Sequence, residues 1–104
     1  MSDQQTGTQT IRAIAEIATP QAQRYLTQLC KHFQHKCPVE LDEAAGRIIF
    51  SAGDCDLQAQ DGILRLSVTA EDGTQLALLQ DVVARHLLRF AFREELVFDW
   101  RPTP

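Results

Sequence analysis

Between residues 39 and 69 the chain alternates apolar and polar residues in four short runs, each followed by a turn-forming group, and this pattern leaves few folds open. Val39 and Leu41 alternate with Glu40 and Asp42. Ile48 and Phe50 share one face of 47–51, and Cys55, Leu57 and Ala59 share one face of 55–59. Leu64, Leu66 and Val68 alternate with Arg65, Ser67 and Thr69. A period of two sends successive side chains to opposite faces of a strand. The joints are Ala44-Ala45-Gly46, Ala52-Gly53-Asp54 and Gln60-Asp61-Gly62, and the Asp-Gly pair in the last is a strong hairpin signal. Runs joined by tight turns become antiparallel neighbours, so the pattern predicts a meander with one apolar and one polar face.

Two helical stripes flank the meander. Ala22, Tyr25, Leu26, Leu29, Cys30 and Phe33 recur at helical spacing, with Thr19-Pro20 as the predicted N-cap and first helical residue and Pro38 as the stop. Leu76, Leu79, Val83, Leu87 and Phe90 form the second stripe, started by Asp72 with Gln75 at capping-box spacing. Before the first helix, Ile11, Ala13, Ala15 and Ile17 alternate with Arg12, Ile14 and Glu16 as a first strand; after the second, Leu96, Phe98 and Trp100 alternate with Val97 and Asp99 as a closing strand. Each helix needs an apolar surface to cover. The predicted architecture is therefore a two-layer α+β sandwich, β-α-β-β-β-β-α with a closing strand. Its antiparallel sheet has four to six strands and carries both helices on one face. Residues 1–7 read as a disordered lead-in, 8–100 as a single α+β domain and 101–104 as a C-terminal tail.

At 104 residues, 44% hydrophobic and 23% charged, the chain is long enough to bury a core without a disulfide or a structural metal. Its net charge of -4 argues against nucleic acid as a partner, since binding phosphates takes a basic surface. No apolar run reaches the length of a membrane span, and the polar start has no signal-peptide core, so the expected setting is cytoplasmic with reduced thiols.

Chemistry-bearing residues concentrate in Cys30-Lys31-His32-Phe33-Gln34-His35-Lys36-Cys37, which holds two of the three histidines and two of the three cysteines. Thiolate and imidazole together suit zinc or iron. On a helix, Cys30 and His32 point about 160° apart and cannot share an ion, whereas His32 and His35 lie about 60° apart. The stretch also reads as a solvated basic helix end, favoured by the helix dipole. A second grouping draws on three elements. Cys30 is at the edge of the first stripe, Cys55 is on the covered sheet face, and His86 borders the second stripe. This set can hold a metal or serve a thiol nucleophile, or its members can be ordinary core residues. Arg85, Arg89 and Arg93 share one side of the second helix, as an anion or partner contact or as a solvated face. Gly-rich phosphate loops, a serine elbow and a calcium loop are absent.

The segment Leu29-Cys30-Lys31-His32-Phe33-Gln34-His35-Lys36, the residues Gly53 and Cys55, and the run from Val82 to Leu96 resemble a bacterial family known as domain of unknown function 2218. The resemblance spans the chain from the first strand to Trp100. It implies a small cytoplasmic bacterial protein without an established activity, some of whose relatives are associated with siderophore-interacting flavin reductases and iron-uptake genes. Cys30, His32, His35, Cys55, His86 and Arg89 fall on the family's motifs; Cys37 does not and reads as incidental. The leading expectation is a non-enzymatic accessory or binding domain linked to iron or siderophore use, needing no cofactor. Its partner would be a siderophore-interacting reductase or a second copy of the chain. The alternatives are a zinc- or iron-binding protein using Cys30, Cys55 and His86, with His32 and His35 as alternates, and a thiol enzyme with Cys30 or Cys55 as nucleophile.

Overall fold

The computed structural model describes residues 10–103, so the lead-in expected at 1–7 lies outside the described residues. The elements run β1 (Ile11–Ala18), α1 (Ala22–Phe33), β2 (Val39–Leu41), β3 (Ala45–Phe50), β4 (Gly53–Gln60), β5 (Ile63–Ala70), α2 (Gly73–Phe90) and β6 (Arg101–Thr103). The six strands form one antiparallel sheet in the order β2-β3-β4-β5-β1-β6. Helix α1 packs over β2 to β5 and α2 over β1, β4 and β5, which makes the predicted two-layer α+β sandwich.

The period-two pattern decides the faces. Ala13, Ala15 and Ile17 of β1 stand opposite Val68, Leu66 and Leu64 of β5, and Cys55 and Leu57 of β4 stand opposite Val68 and Leu66. All of these are buried, and with Leu26, Leu29, Cys30, Leu79, Val83 and Leu87 from the helices they form the core. On the outer face Arg47 pairs with Asp54 at 2.8 Å. Asp61 (φ 55) and Gly62 (φ 74) are the two central residues of the β4–β5 turn. Positive φ at both is the type I′ geometry whose twist matches the strands it joins.

Three boundaries differ from the sequence pattern. Helix α1 starts at Ala22 rather than at Pro20: its ladder begins with the Tyr25 N–H donating to the Gln21 carbonyl, and Thr19 lies in the turn before it, its hydroxyl accepting from the Gln21 N–H (3.1 Å) and donating to Glu94. Ala45 and Gly46 belong to β3, and the turn before it closes through the Asp42 N–H donating to the Ala45 carbonyl. The closing strand is Arg101–Thr103, inside the segment read as a tail, and it pairs with Arg12–Ile14 of β1. Leu96, Phe98 and Trp100 do alternate in burial and pack on the core, yet their backbone joins no ladder. Pro102 lacks a backbone N–H and is tolerated because β6 is an edge strand. Asp72 caps α2 as predicted, its carboxylate accepting from the Gln75 N–H at 2.9 Å. Among the described residues no helix is long and apolar enough to cross a membrane.

Candidate functional site

The residues that carry chemistry separate into three places. Cys30 and Cys55 lie in the core, each fully enclosed and free of any disulfide. The Cys30 sulfur sits above Gly46, where an added Cβ would come within 2.5 Å of it. Burial pushes the Cys30 thiol up to about 11. It pushes Cys55 up as well, with Asp56, Cys30 and Asp54 adding to the effect. A thiol held protonated in this way is the opposite of an activated nucleophile. Cys37 is half-buried against the core edge.

His86 faces α1 across the seam between the helices, its ring 5.0 Å from that of His32 and 4.9 Å from that of Phe33. Phe90 and Phe50 complete an aromatic cluster around His32 and Phe33. Nδ1 of His86 lies 2.7 Å from the Val82 carbonyl, so the neutral ring carries its proton there and Nε2 is left as the acceptor. His32 is held below the usual imidazole range, first by desolvation and then by the charges of His86, Lys36, Arg89 and His35. His35 is exposed in the turn that follows α1. Among the described residues no three His, Cys, Asp or Glu side chains gather to hold a metal ion, so Cys30, Cys55 and His86 do not form such a group. The histidine pair supplies two imidazoles, fewer than the three protein ligands usual for zinc.

The third place was not visible in the motifs. Where the start of α1 meets the end of α2, a groove of ≈ 550 Å³ is lined by Pro20, Gln21, Arg24, Tyr25, Phe90, Phe92, Arg93 and Glu94. Glu94 is its only carboxylate, and both oxygens are engaged. Thr19 donates to Oε1 at 2.8 Å and the Tyr25 hydroxyl donates to Oε2. Thr19 and Tyr25 are themselves 2% and 5% exposed, so the carboxylate is anchored to the core. The bond to Glu94 also raises the Tyr25 phenol above its usual value, with burial adding to it. Among the described residues neither Arg24 nor Arg93 makes an ion pair. The Arg93 guanidinium lies 5.4 Å from the ring centroid of Phe92, which is 74% exposed.

The predicted arginine stripe therefore divides. Arg85 pairs with Asp81 at 2.8 Å, Arg89 is exposed beside His32, and Arg93 turns into the groove. Arg24, Tyr25, Phe92 and Glu94 left no spacing signal, since Glu94 is 75 residues from Thr19 and 69 from Tyr25.

Comparison with known proteins finds a family model, described as an uncharacterised protein conserved in bacteria (DUF2218), that matches residues 14–101. The NMR structure of PA4090 from Pseudomonas aeruginosa is similar with a TM-score of 0.75 and 37% identity, over 88% of this chain and 95% of that one. No curated protein matches the chain.

Proposed function

The chain belongs to the bacterial family of uncharacterised proteins termed domain of unknown function 2218, and for it we propose a non-enzymatic binding role centred on the groove between the start of α1 and the end of α2. One observation carries this reading. Two guanidiniums without ion-pair partners among the described residues, Arg24 and Arg93, flank an exposed aromatic ring in a concavity whose own carboxylate is tied up by hydroxyls. Such a surface suits a small organic anion with an apolar or aromatic body. The guanidiniums take the anionic end as fork donors, and Phe92 and Phe90 take the body. A binding role rather than a thiol-based one is supported by the enclosure of Cys30 and Cys55 and by the rise in their pKa.

Titration of isotope-labelled protein with benzoate, followed by amide chemical shifts, tests the reading, with benzylamine as the matched cation. Benzoate should move resonances around residues 20–25 and 90–94, and Arg24→Ala with Arg93→Ala should weaken that response at least about tenfold. Equal shifts with benzylamine, or none with either probe, would sink the idea. The finer form of the proposal links this binding to iron or siderophore use, with a siderophore-interacting reductase as partner. Its support is the family resemblance. A deletion strain that grows normally under iron limitation and uses siderophores like the parent would count against it.

A further inference from the structure

Helix α2 has a second organised face. Leu79, Val83 and Leu87 point into the core. At about 100° per residue, the side directly opposite carries Thr74, Leu78, Asp81, Arg85 and Leu88. All five are exposed, and the two leucines are 54% and 44% exposed. Their spacing alternates four and three, the repeat of a helix–helix seam. We propose that this face is the contact between two copies of the chain, which meet as an antiparallel pair of α2 helices about a two-fold axis at residue 83.

The register follows from the charges. In an antiparallel pair, residues equidistant from the axis on either side face each other. With the axis at residue 83, Leu78 faces the partner's Leu88 and Asp81 faces the partner's Arg85, and the symmetry makes each contact twice. A single centre therefore satisfies both the apolar and the charged pairs. Moving the axis to residue 81 would set Asp81 against the partner's Asp81, and moving it to residue 85 would set Arg85 against the partner's Arg85. Like charges across an interface are penalised, so the face rejects the neighbouring registers as well as favouring one. The Asp81–Arg85 pair within each helix, at 2.8 Å, joins the two cross-helix pairs in a four-membered network of alternating sign. A contact built on one helix per copy falls below the ≈ 1,200–2,000 Å² of a standard stable interface, so the dimer is reversible and depends on concentration.

Sedimentation equilibrium of the full chain from about 1 µM to about 1 mM tests this. The mass should rise from 11.7 kDa toward twice that value. Leu88→Glu should abolish the rise. Asp81→Arg and Arg85→Asp should each weaken association at least about tenfold, and the two together should recover it, because the swapped charges again face opposites. These side chains are exposed, so each variant should keep the fold, with circular dichroism as the check. A wild-type mass that stays monomeric at the highest concentration, association unaffected by Leu88→Glu, or a double swap no better than the single ones would each overturn the proposal.

Discussion

Gly46 and Cys30 give the sharpest test of the packing between helix and sheet. Gly46 lies in β3, opposite Leu41 of β2 and Leu57 of β4, and has no positive φ. Its backbone would therefore accept alanine, which in a strand is ordinarily better than glycine by roughly 0.5–1 kcal/mol. The obstacle is the sulfur of Cys30, 2.5 Å from the position the new methyl would take, with the Glu40 carbonyl at 3.5 Å and Leu26 Cδ2 at 3.6 Å. Cys30 is wholly buried and has a single side-chain torsion, so moving its sulfur displaces other core groups. Gly46→Ala should accordingly destabilise by about 1–3 kcal/mol, lowering the melting temperature by about 4–8 °C per kcal/mol in a domain near this size. Cys30→Ala removes the sulfur and opens the space. In that background Gly46→Ala should be neutral or stabilising by about 0.5–1 kcal/mol, a coupling of at least about 1 kcal/mol between the two positions. Urea unfolding followed by the fluorescence of Trp100, the only tryptophan and one packed against the core, measures all four proteins. Equal destabilisation by Gly46→Ala in both backgrounds would refute the contact as the cause.

Other predictions follow from the titrating groups. Tyr25 is the only tyrosine, so tyrosinate absorbance reports on it alone; its midpoint should lie above 10.0 in the folded protein and move down in Glu94→Gln, where the anionic acceptor is gone. His32 is lowered in the folded state, so that state binds less proton than the unfolded one as pH falls below the unfolded value of 6.5. This contribution to stability is complete above 6.5 and lost toward the lowered folded value, and His32→Gln should flatten that part of the denaturation profile; an unchanged profile would remove His32 as the cause. With a thiol reagent at pH 8, Cys37 should react in the native protein while Cys30 and Cys55 react at the rate of unfolding; prompt labelling of three thiols would show that the core pair is accessible.

Local rules made much of the architecture legible from the chain. A period of two placed Val39, Leu41, Ile48, Phe50, Cys55, Leu57, Leu64, Leu66 and Val68 on the covered face; Ile48, Cys55, Leu57, Leu64, Leu66 and Val68 are buried, Val39 and Phe50 are half-buried, and Leu41, on the edge strand β2, is exposed. Asp61-Gly62 specified its turn and Asp72 its cap, because backbone geometry and a side-chain oxygen three residues away are local matters. The same alternation misplaced the closing strand. Burial of Leu96, Phe98 and Trp100 repeats every second residue whether or not the backbone finds a ladder, and the ladder forms instead at Arg101–Thr103, where the chain runs beside β1.

The site was written in contacts between distant segments. Helix geometry already separated Cys30 from His32, but the partner of His86 turned on how α2 lies against α1, and that packing set it beside His32. Thr19 read only as a helix cap, yet its hydroxyl also donates to Glu94, brought back by the end of α2. Arg93 belonged to a stripe with Arg85 and Arg89 until the helix ended at Phe90 and turned it toward Arg24. Periodicity and capping are properties of neighbouring residues and can be read along the chain. Which side chains share a groove depends on the docking of two helices onto one sheet, and no stretch of sequence contains that information alone.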